Sequence, residues 1–439
     1  MLASRRLFAI LVLLLLLSAC ASLGSNNDGR VIPAFTRVPV QSPTSTAIAA
    51  CPAELGPDGC RTPYDLRVAY GAQSLIERGF TGKGQTIVDI VSYGSPTLQQ
   101  DMDVFDKQFG LPPITIKVLA PIGTVPFNSK KIPDQIGWAE ETTLDVQTIH
   151  ALAPEASIVV LTSPVDETEG TIGLPEFRQL EQYAVTNHLG NIISQSFGAS
   201  EATLKDAAGQ QEIQKWDTFF KQATTQQGIT FFASSGDSGA TDYADLQMTA
   251  LSPTPTTSFP TDDPWVTSVG GTTLNRDGTA FQETAWSDSG GGFSSFFATP
   301  SYQQALPASV QNLLNQRRGV PDVSGDADPH TALAIYSSGG WTLIGGTSAS
   351  APLWAAIMAI ANQMAGHPLG FINPALYKLA TSSAYTKDFH DITVGNNSVH
   401  RHDVQVQGYP AVPGWDPITG LGTPIAEKLL PDLIATING

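Results

Sequence analysis

Beyond residue 63 the chain alternates two hydrophobic patterns. Short apolar, β-branched runs fall at 86–91, 156–161, 190–194, 229–233 and 265–269. A strand that reads apolar at nearly every position is buried on both faces, as parallel strands are. Between these runs lie stretches of helical spacing. The first is 139–153, stopped by Pro154; another is 348–364, where Pro352 is expected in the first turn, a place where a missing N–H costs little. Strands alternating with helices predict an α/β fold: a parallel central sheet with helices on both faces. Glycine-rich stretches such as Gly290-Gly291-Gly292 and Gly345-Gly346 fall between elements and are candidates for close backbone approach to a ligand.

The N-terminus follows another pattern. Arg5 and Arg6 precede the apolar run 7–17, too short to span a bilayer and suited to the core of a signal peptide. It ends Leu17-Ser18-Ala19-Cys20, which resembles the lipobox of bacterial lipoproteins and implies that Cys20 becomes the lipidated first residue. The alternative is a plain secretory signal with a chance cysteine. Residues 1–20 are therefore expected to be a lipoprotein signal peptide, 21–62, rich in Ser, Pro, Thr, Asn and Gly, a flexible tether, and 63–439 one peptidase domain. The expected location is exported and lipid-anchored, at the bacterial cell surface or envelope, with the membrane surface as partner through Cys20. Cys51 and Cys60 then remain, and in an oxidising setting they could form one disulfide over a short loop.

Composition narrows the function classes. The 439 residues are 41% hydrophobic and 14% charged, enough to bury a large core. A formal charge of -17 repels a phosphate backbone, so no nucleic acid is expected as a partner. Many of these carboxylates would be neutral in acid, which is consistent with an acidic workplace, although plain solubility is the more ordinary account of the charge.

Within Gly345-Gly346-Thr347-Ser348-Ala349-Ser350-Ala351-Pro352 a serine stands where a glycine-rich turn enters an apolar helix. A hydroxyl there meets the positive end of the helix dipole, which favours charge developing in acyl transfer; the bland alternative is an N-cap serine. A serine nucleophile needs a base, and none of the seven histidines sits in a His-Gly-Thr-His context. His150 lies five residues after Asp145 and turns away from it. No serine has glycine two positions before and two after, which excludes a nucleophile elbow. Glu141 and Asp145 stand four apart and share one helix face, a local cost unless one of them is protonated. Such a pair can act as a base at low pH, or it is simply a solvated acidic face. Glu140 is the poorer candidate, its partner four residues on being Leu144. Asp237, in Ser234-Ser235-Gly236-Asp237-Ser238-Gly239, follows a strand and projects at the carboxyl edge of the sheet, where a protonated aspartate could donate to an oxyanion.

Together these residues resemble the sedolisins, serine-carboxyl peptidases that share the subtilisin-like fold and work in acid. The resemblance rests on Glu141-Thr-Thr-Leu-Asp145, Ser-Ser-Gly-Asp237-Ser-Gly and Gly-Thr-Ser348-Ala-Ser-Ala-Pro, joined by Ser194-Gln-Ser-Phe-Gly198, Phe259-Pro260, Val269-Gly-Gly-Thr272, Trp286-Ser-Asp-Ser-Gly-Gly-Gly-Phe293 and Pro321-Asp-Val323, in that family's order. It implies an acyl-enzyme on Ser348, Glu141 and Asp145 as base, Asp237 as oxyanion donor, protein or peptide substrates, an endopeptidase working as a monomer and, from reference pKa values, a rate that peaks at about pH 3–5. It also implies a calcium ion held by Asp391, Ile392, Val412, Gly414 and Asp416, with Val412 where the family commonly has glycine. Sedolisins are commonly made with a large folded propeptide, whereas only the tether separates Cys20 from residue 63. Two alternatives are a catalytically inactive surface binding lipoprotein of the same fold and, third, a subtilisin-type peptidase.

Overall fold

A computed structural model describes residues 36–38, 50–56, 59–278, 280–401 and 403–439. The strands used below are β1 (Thr36–Val38), β2 (Thr86–Ser92), β3 (Lys117–Leu119), β4 (Ser157–Ser163), β5 (Ile192–Gln195), β6 (Ala199–Ser200), β7 (Thr230–Ser234), β8 (Ser258–Phe259), β9 (Thr267–Asp277), β10 (Ala280–Ala285), β11 (Val323–Asp326), β12 (Ala334–Ser337) and β13 (Gly340–Gly345). The helices are α1 (Pro63–Ala69), α2 (Gln135–Leu152), α3 (Leu174–Thr186), α4 (Ala207–Gln227) and α5 (Thr347–Ala365).

Each predicted strand lies in one eight-stranded sheet of order β10-β9-β7-β5-β2-β4-β3, with β11 beside β9. All its pairings are parallel except β10 with β9. The strand β2 is central, paired on both edges and buried from Ile87 to Ser92, because α2 and α5 cover one face while α3 and α4 pack together on the other. This is the subtilisin-like arrangement, so continuous apolar runs did mark doubly covered parallel strands. β9 continues well past the predicted run into a half that pairs with β10 and emerges into solvent.

The two predicted helices are longer than expected. α2 starts four residues early, and 15 of its 18 residues are buried. Thr142 and Thr143 return their hydroxyls to the Trp138 and Ala139 carbonyls (2.6 and 2.7 Å), which hides their polarity inside the helix. Glu141 and Asp145 are therefore not a solvated acidic face. α5 starts at Thr347, so Pro352 falls in the second turn rather than the first. It buries Leu353, Trp354, Ile357, Met358 and Ile360, each worth about 1.5–3 kcal/mol, which anchors the segment that carries Ser348.

The signal peptide and Cys20 lie outside the described residues. The expectation of a flexible tether over 21–62 is corrected where the chain is described. β1 pairs with β13, Thr36 opposite Gly345. Cys51 and Cys60 form a disulfide (Cα–Cα 5.8 Å), and with Leu55 they pack against Ala332, Ala334 and Leu343. Arg61 exchanges backbone hydrogen bonds with Ala332 and Ala334 and is itself buried. The polar composition of this segment conceals partners nearly 300 residues away.

Candidate active site

The nucleophile candidate is delivered by the β13–α5 turn. Gly345 has the Ala327 carbonyl only 2.4 Å from where a Cβ would stand, and Gly346 has φ +137°. Both positions exclude other residues, and the turn places Ser348 in the first turn of α5, fully buried. Because Pro352 has no N–H, the Ser348 carbonyl loses its helical donor; the Ser196 hydroxyl, just after β5, lies 3.2 Å from that carbonyl oxygen. The same hydroxyl lies 2.8 Å from Asp145 Oδ1.

α2 packs along α5 and brings Glu141 and Asp145 to this point. The Ser348 hydroxyl faces the Glu141 carboxyl and favours its charged form, while both Glu141 oxygens are buried with no partner among the described residues within hydrogen-bond distance. Burial raises Glu141 well above its ordinary pKa; Ser348 and Ser196 pull it down, while Asp237 and Asp89 push it up. Burial likewise raises Asp145, reinforced by Asp89 and Glu141. Asp89, at the centre of β2, is pushed up to about 7 by burial and adds to the rise of Asp145 beside it. The carboxyls of Glu141, Asp145 and Asp89 thus form one buried cluster whose charges oppose one another and which titrates as a unit, while Asp237 acts on Glu141 from beside it.

Asp237 closes the other side. Its Oδ1 accepts from Thr347 N and Thr347 Oγ1, both at 2.8 Å, at the start of α5. Oδ2 is buried without a hydrogen-bond partner and is the oxygen on which a donated proton can sit. Burial pushes this carboxyl up to about 8 against the pull of Thr347, and Asp288 and Asp242 add to the rise. A protonated carboxyl beside the nucleophile's helix start is a donor for developing negative charge.

Other expectations change. The close approaches of Gly290 and Gly291 are to the protein itself: a Cβ there would stand 2.1 Å from the Ser235 and Pro417 carbonyl oxygens. His150 is buried 3.1 Å from Asp106 and 2.9 Å from the Pro112 carbonyl, away from Ser348. Glu140 is only half-buried. Two residues at the site were given no role from sequence. Asp89 had a signal, being the only charge inside an apolar run, whereas Ser196 had none beyond its place in a matching stretch.

At the C-terminal end, Asp391 Oδ1 accepts from Tyr385 OH (3.0 Å) and both its oxygens lie 3.1 Å from Gly414 N. Asp416 accepts from the amides of Val412 (3.1 Å), Ile418 (3.0 Å) and Thr419 (2.8 Å), and burial pushes it up to about 6. Both carboxylates act on Tyr385, so they share one locality, and among the described residues neither pairs with a lysine or arginine. Among those residues no three of His, Cys, Asp or Glu gather as a metal site. A cation here would lean on two carboxylates and backbone carbonyls, a hard-oxygen set that fits calcium.

Residues 134–399 match the profile of the subtilase family. Kumamolisin of Bacillus sp. (strain MN-32) is 34% identical over 388 residues, covering 86% of this chain and 64% of that protein. Tripeptidyl-peptidase 1 of Homo sapiens is 33% identical over 312 residues, covering 67% of this chain and 52% of that protein. The chain therefore spans between half and just under two thirds of these curated relatives. The solved structure of Pseudomonas sedolisin, a serine-carboxyl proteinase complexed with two molecules of pseudo-iodotyrostatin, superposes with a TM-score of 0.70 at 27% identity, covering 86% of this chain and 98% of that one.

Proposed function

This chain belongs to the subtilase family and, within it, to the sedolisins, and from that premise we propose that it is a serine peptidase acting in acid through Ser348. The observation that carries the reading is the Ser348 hydroxyl facing the buried Glu141 carboxyl at a helix start, with His150, the histidine on the helix of Glu141, set against Asp106 instead. Ser348 Oγ attacks the peptide carbonyl carbon as its proton passes to Glu141 in the fraction of molecules in which the coupled Glu141–Asp145 acids leave Glu141 ionised. The carbonyl oxygen becomes an oxyanion and receives a hydrogen bond from protonated Asp237. Collapse breaks the C–N bond, the amine takes the proton from Glu141, and water repeats the sequence on the ester.

Substrates of this reading are proteins or peptides. Kumamolisin and a tripeptidyl-peptidase are both relatives, and internal cleavage is the mode we propose. The test is hydrolysis of denatured protein and a peptide library from pH 2 to 8, with Ser348→Ala as control. Acid cleavage lost in a folded Ser348→Ala chain supports the reading; equal cleavage by both chains overturns it, as does no cleavage by the parent.

Two further parts of the reading concern calcium and location. Asp391 and Asp416, with the carbonyls of Ile392, Val412 and Gly414, would hold a calcium ion that stabilises the C-terminal loops. Lipidation of Cys20 would anchor an otherwise monomeric protein to a membrane. Release by Cys20→Ser supports this, and a variant still wholly in the membrane fraction contradicts it.

A further inference from the structure

Thr347, the first residue of α5, stands between the nucleophile and the oxyanion acid, and the steps above give its side chain no part. A helix start leaves amides without helical partners, and this one donates to Asp237 Oδ1 at 2.8 Å. Thr347 Oγ1 lies 2.8 Å from the same oxygen. It also lies 3.2 Å from the Gly236 carbonyl oxygen and accepts from Gly236 N at 3.0 Å. A hydroxyl has one proton to give. The Gly236 amide occupies one of its lone pairs, and the carboxyl oxygen is the nearer of its two acceptors and, when charged, the stronger, so Asp237 Oδ1 takes that proton.

Two donors on one oxygen decide where the Asp237 proton sits. A proton on Oδ1 would confront the amide and hydroxyl hydrogens of Thr347, so the neutral acid carries it on Oδ2. Among the described residues Oδ2 is buried with no hydrogen-bond partner, so that proton is given to no protein acceptor and stays available to a ligand. The terminal torsion of an aspartate is broad and roughly two-fold, and the amide by itself leaves the carboxyl able to turn. The hydroxyl adds a second point of attachment. The methyl in turn fixes the hydroxyl: Thr347 Cγ2 stands 3.4 Å from where a Cβ on Gly271 would be, against β9, which leaves this β-branched side chain little room to change rotamer. The titratable groups facing Asp237 are Asp288, Asp242 and, from α2, Glu141. All three are acids, so they favour its neutral form and leave its orientation to Thr347.

We propose that Thr347 is the positioning residue of the oxyanion donor: its hydroxyl holds the Asp237 carboxyl so that Oδ2–H, and not Oδ1, meets the oxygen of the scissile carbonyl. This rests on the peptidase reading of Ser348. Thr347→Val keeps the branched shape and removes the hydroxyl, whereas Thr347→Ser keeps the hydroxyl and removes the methyl.

The first readout needs no turnover. In the full-length chain the C=O stretch of protonated Asp237 is followed against pH by infrared difference spectroscopy and assigned by its absence from Asp237→Asn. A hydroxyl that donates to a carboxylate favours the charged form, so Thr347→Val should lose this band about one pH unit above the parent, and Thr347→Ser close to the parent. The second readout is kinetic. Removing an oxyanion donor outright costs about 10²–10³ in kcat, so misplacing it in Thr347→Val should cost about tenfold or more, with KM within about threefold of the parent. Thr347→Ser should recover most of that rate. In an Asp237→Ala background, where no carboxyl remains to be held, Thr347→Val should cost about twofold or less, because coupled residues are not additive. Thr347→Ala, which also lacks the hydroxyl, gives the same readouts should Thr347→Val fail to fold by circular dichroism. A band lost at the same pH in parent and Thr347→Val overturns the proposal, as does an equal loss of kcat in the parent and Asp237→Ala backgrounds. A shifted band together with no cleavage by the parent upholds the hold of Thr347 on Asp237 and sinks the peptidase reading.

Discussion

The Ser196 hydroxyl stands 3.2 Å from the Ser348 carbonyl oxygen, in the place of the helical N–H that Pro352 lacks, and 2.8 Å from Asp145 Oδ1. One short side chain thus joins the nucleophile's backbone to the second acid. Ser196→Ala is expected to lower kcat/KM about 10- to 100-fold, the scale of a misplacement of about 1 Å at a reacting centre. Leaving a buried carbonyl unpaired should also cost about 1–3 kcal/mol of stability. Rates within twofold of the parent would reduce Ser196 to a packing residue.

Asp89 is the acid that ties Asp145 to the centre of the sheet. Asp89→Asn keeps the shape and removes a group pushed up to about 7, so the profile of kcat/KM against pH should lose an inflection near neutrality. The rate at the optimum should fall about tenfold, as for a weakened acid–base relay, which contributes about 10²–10⁴ when whole. Superimposable profiles would place Asp89 outside the relay.

Asp237 changes the expected alkaline limb. Its ordinary pKa would make a neutral donor scarce well above pH 4, but burial pushes it up to about 8, so the donor persists through neutrality. The acid optimum expected from reference values should therefore decline gradually on its alkaline side, with the Asp237 proton lost only near pH 8. Asp237→Asn, neutral at every pH, should lack that last step. Asp237→Ala should cost about 10²–10³ in kcat, as loss of an oxyanion donor does. A steep loss of rate near pH 5 shared by parent and Asp237→Asn would assign the limb to another group.

Stability should follow pH in a defined direction. Glu181 is fully buried with neither carboxylate oxygen hydrogen-bonded, and burial alone raises it well above its ordinary value; Asp89 and Asp237 are raised as well. A group raised in the folded state contributes its full stability below its unfolded pKa, about 4, and loses it as pH climbs through the folded value. Tm should thus fall by several degrees between pH 5 and pH 8, and Glu181→Gln should lessen the fall. A Tm that is flat or rises over that interval contradicts these assignments.

Chelation addresses the C-terminal loops. Removing calcium, or changing Asp391→Ala, is expected to lower Tm by several degrees, since a ligand of the native state stabilises it by mass action. The kcat of chain that remains folded should change little, because Asp391 lies in loops remote in sequence from α2 and α5. Identical melting with and without chelator would remove the cation from this account.

Periodicity and residue type determined much of this protein by themselves. Apolar runs could be satisfied only by strands covered on both faces, and the i, i+4 spacing placed Glu141 and Asp145 on one side of a helix, since both properties are local to a short segment. Motif order named Ser348 and Asp237 before any contact was known. Tertiary structure alone decided that the helix of Glu141 is enclosed rather than solvated, because enclosure depends on α5, some 200 residues later. It also decided that Ser196 replaces the donor missing at Pro352, that Asp89 joins the acid cluster, and that residues 50–62 are packed rather than loose. Each of these depends on partners far apart along the chain. Burial then sets the charge of every acid in the site, since desolvation is a property of the assembled interior and not of any residue within it.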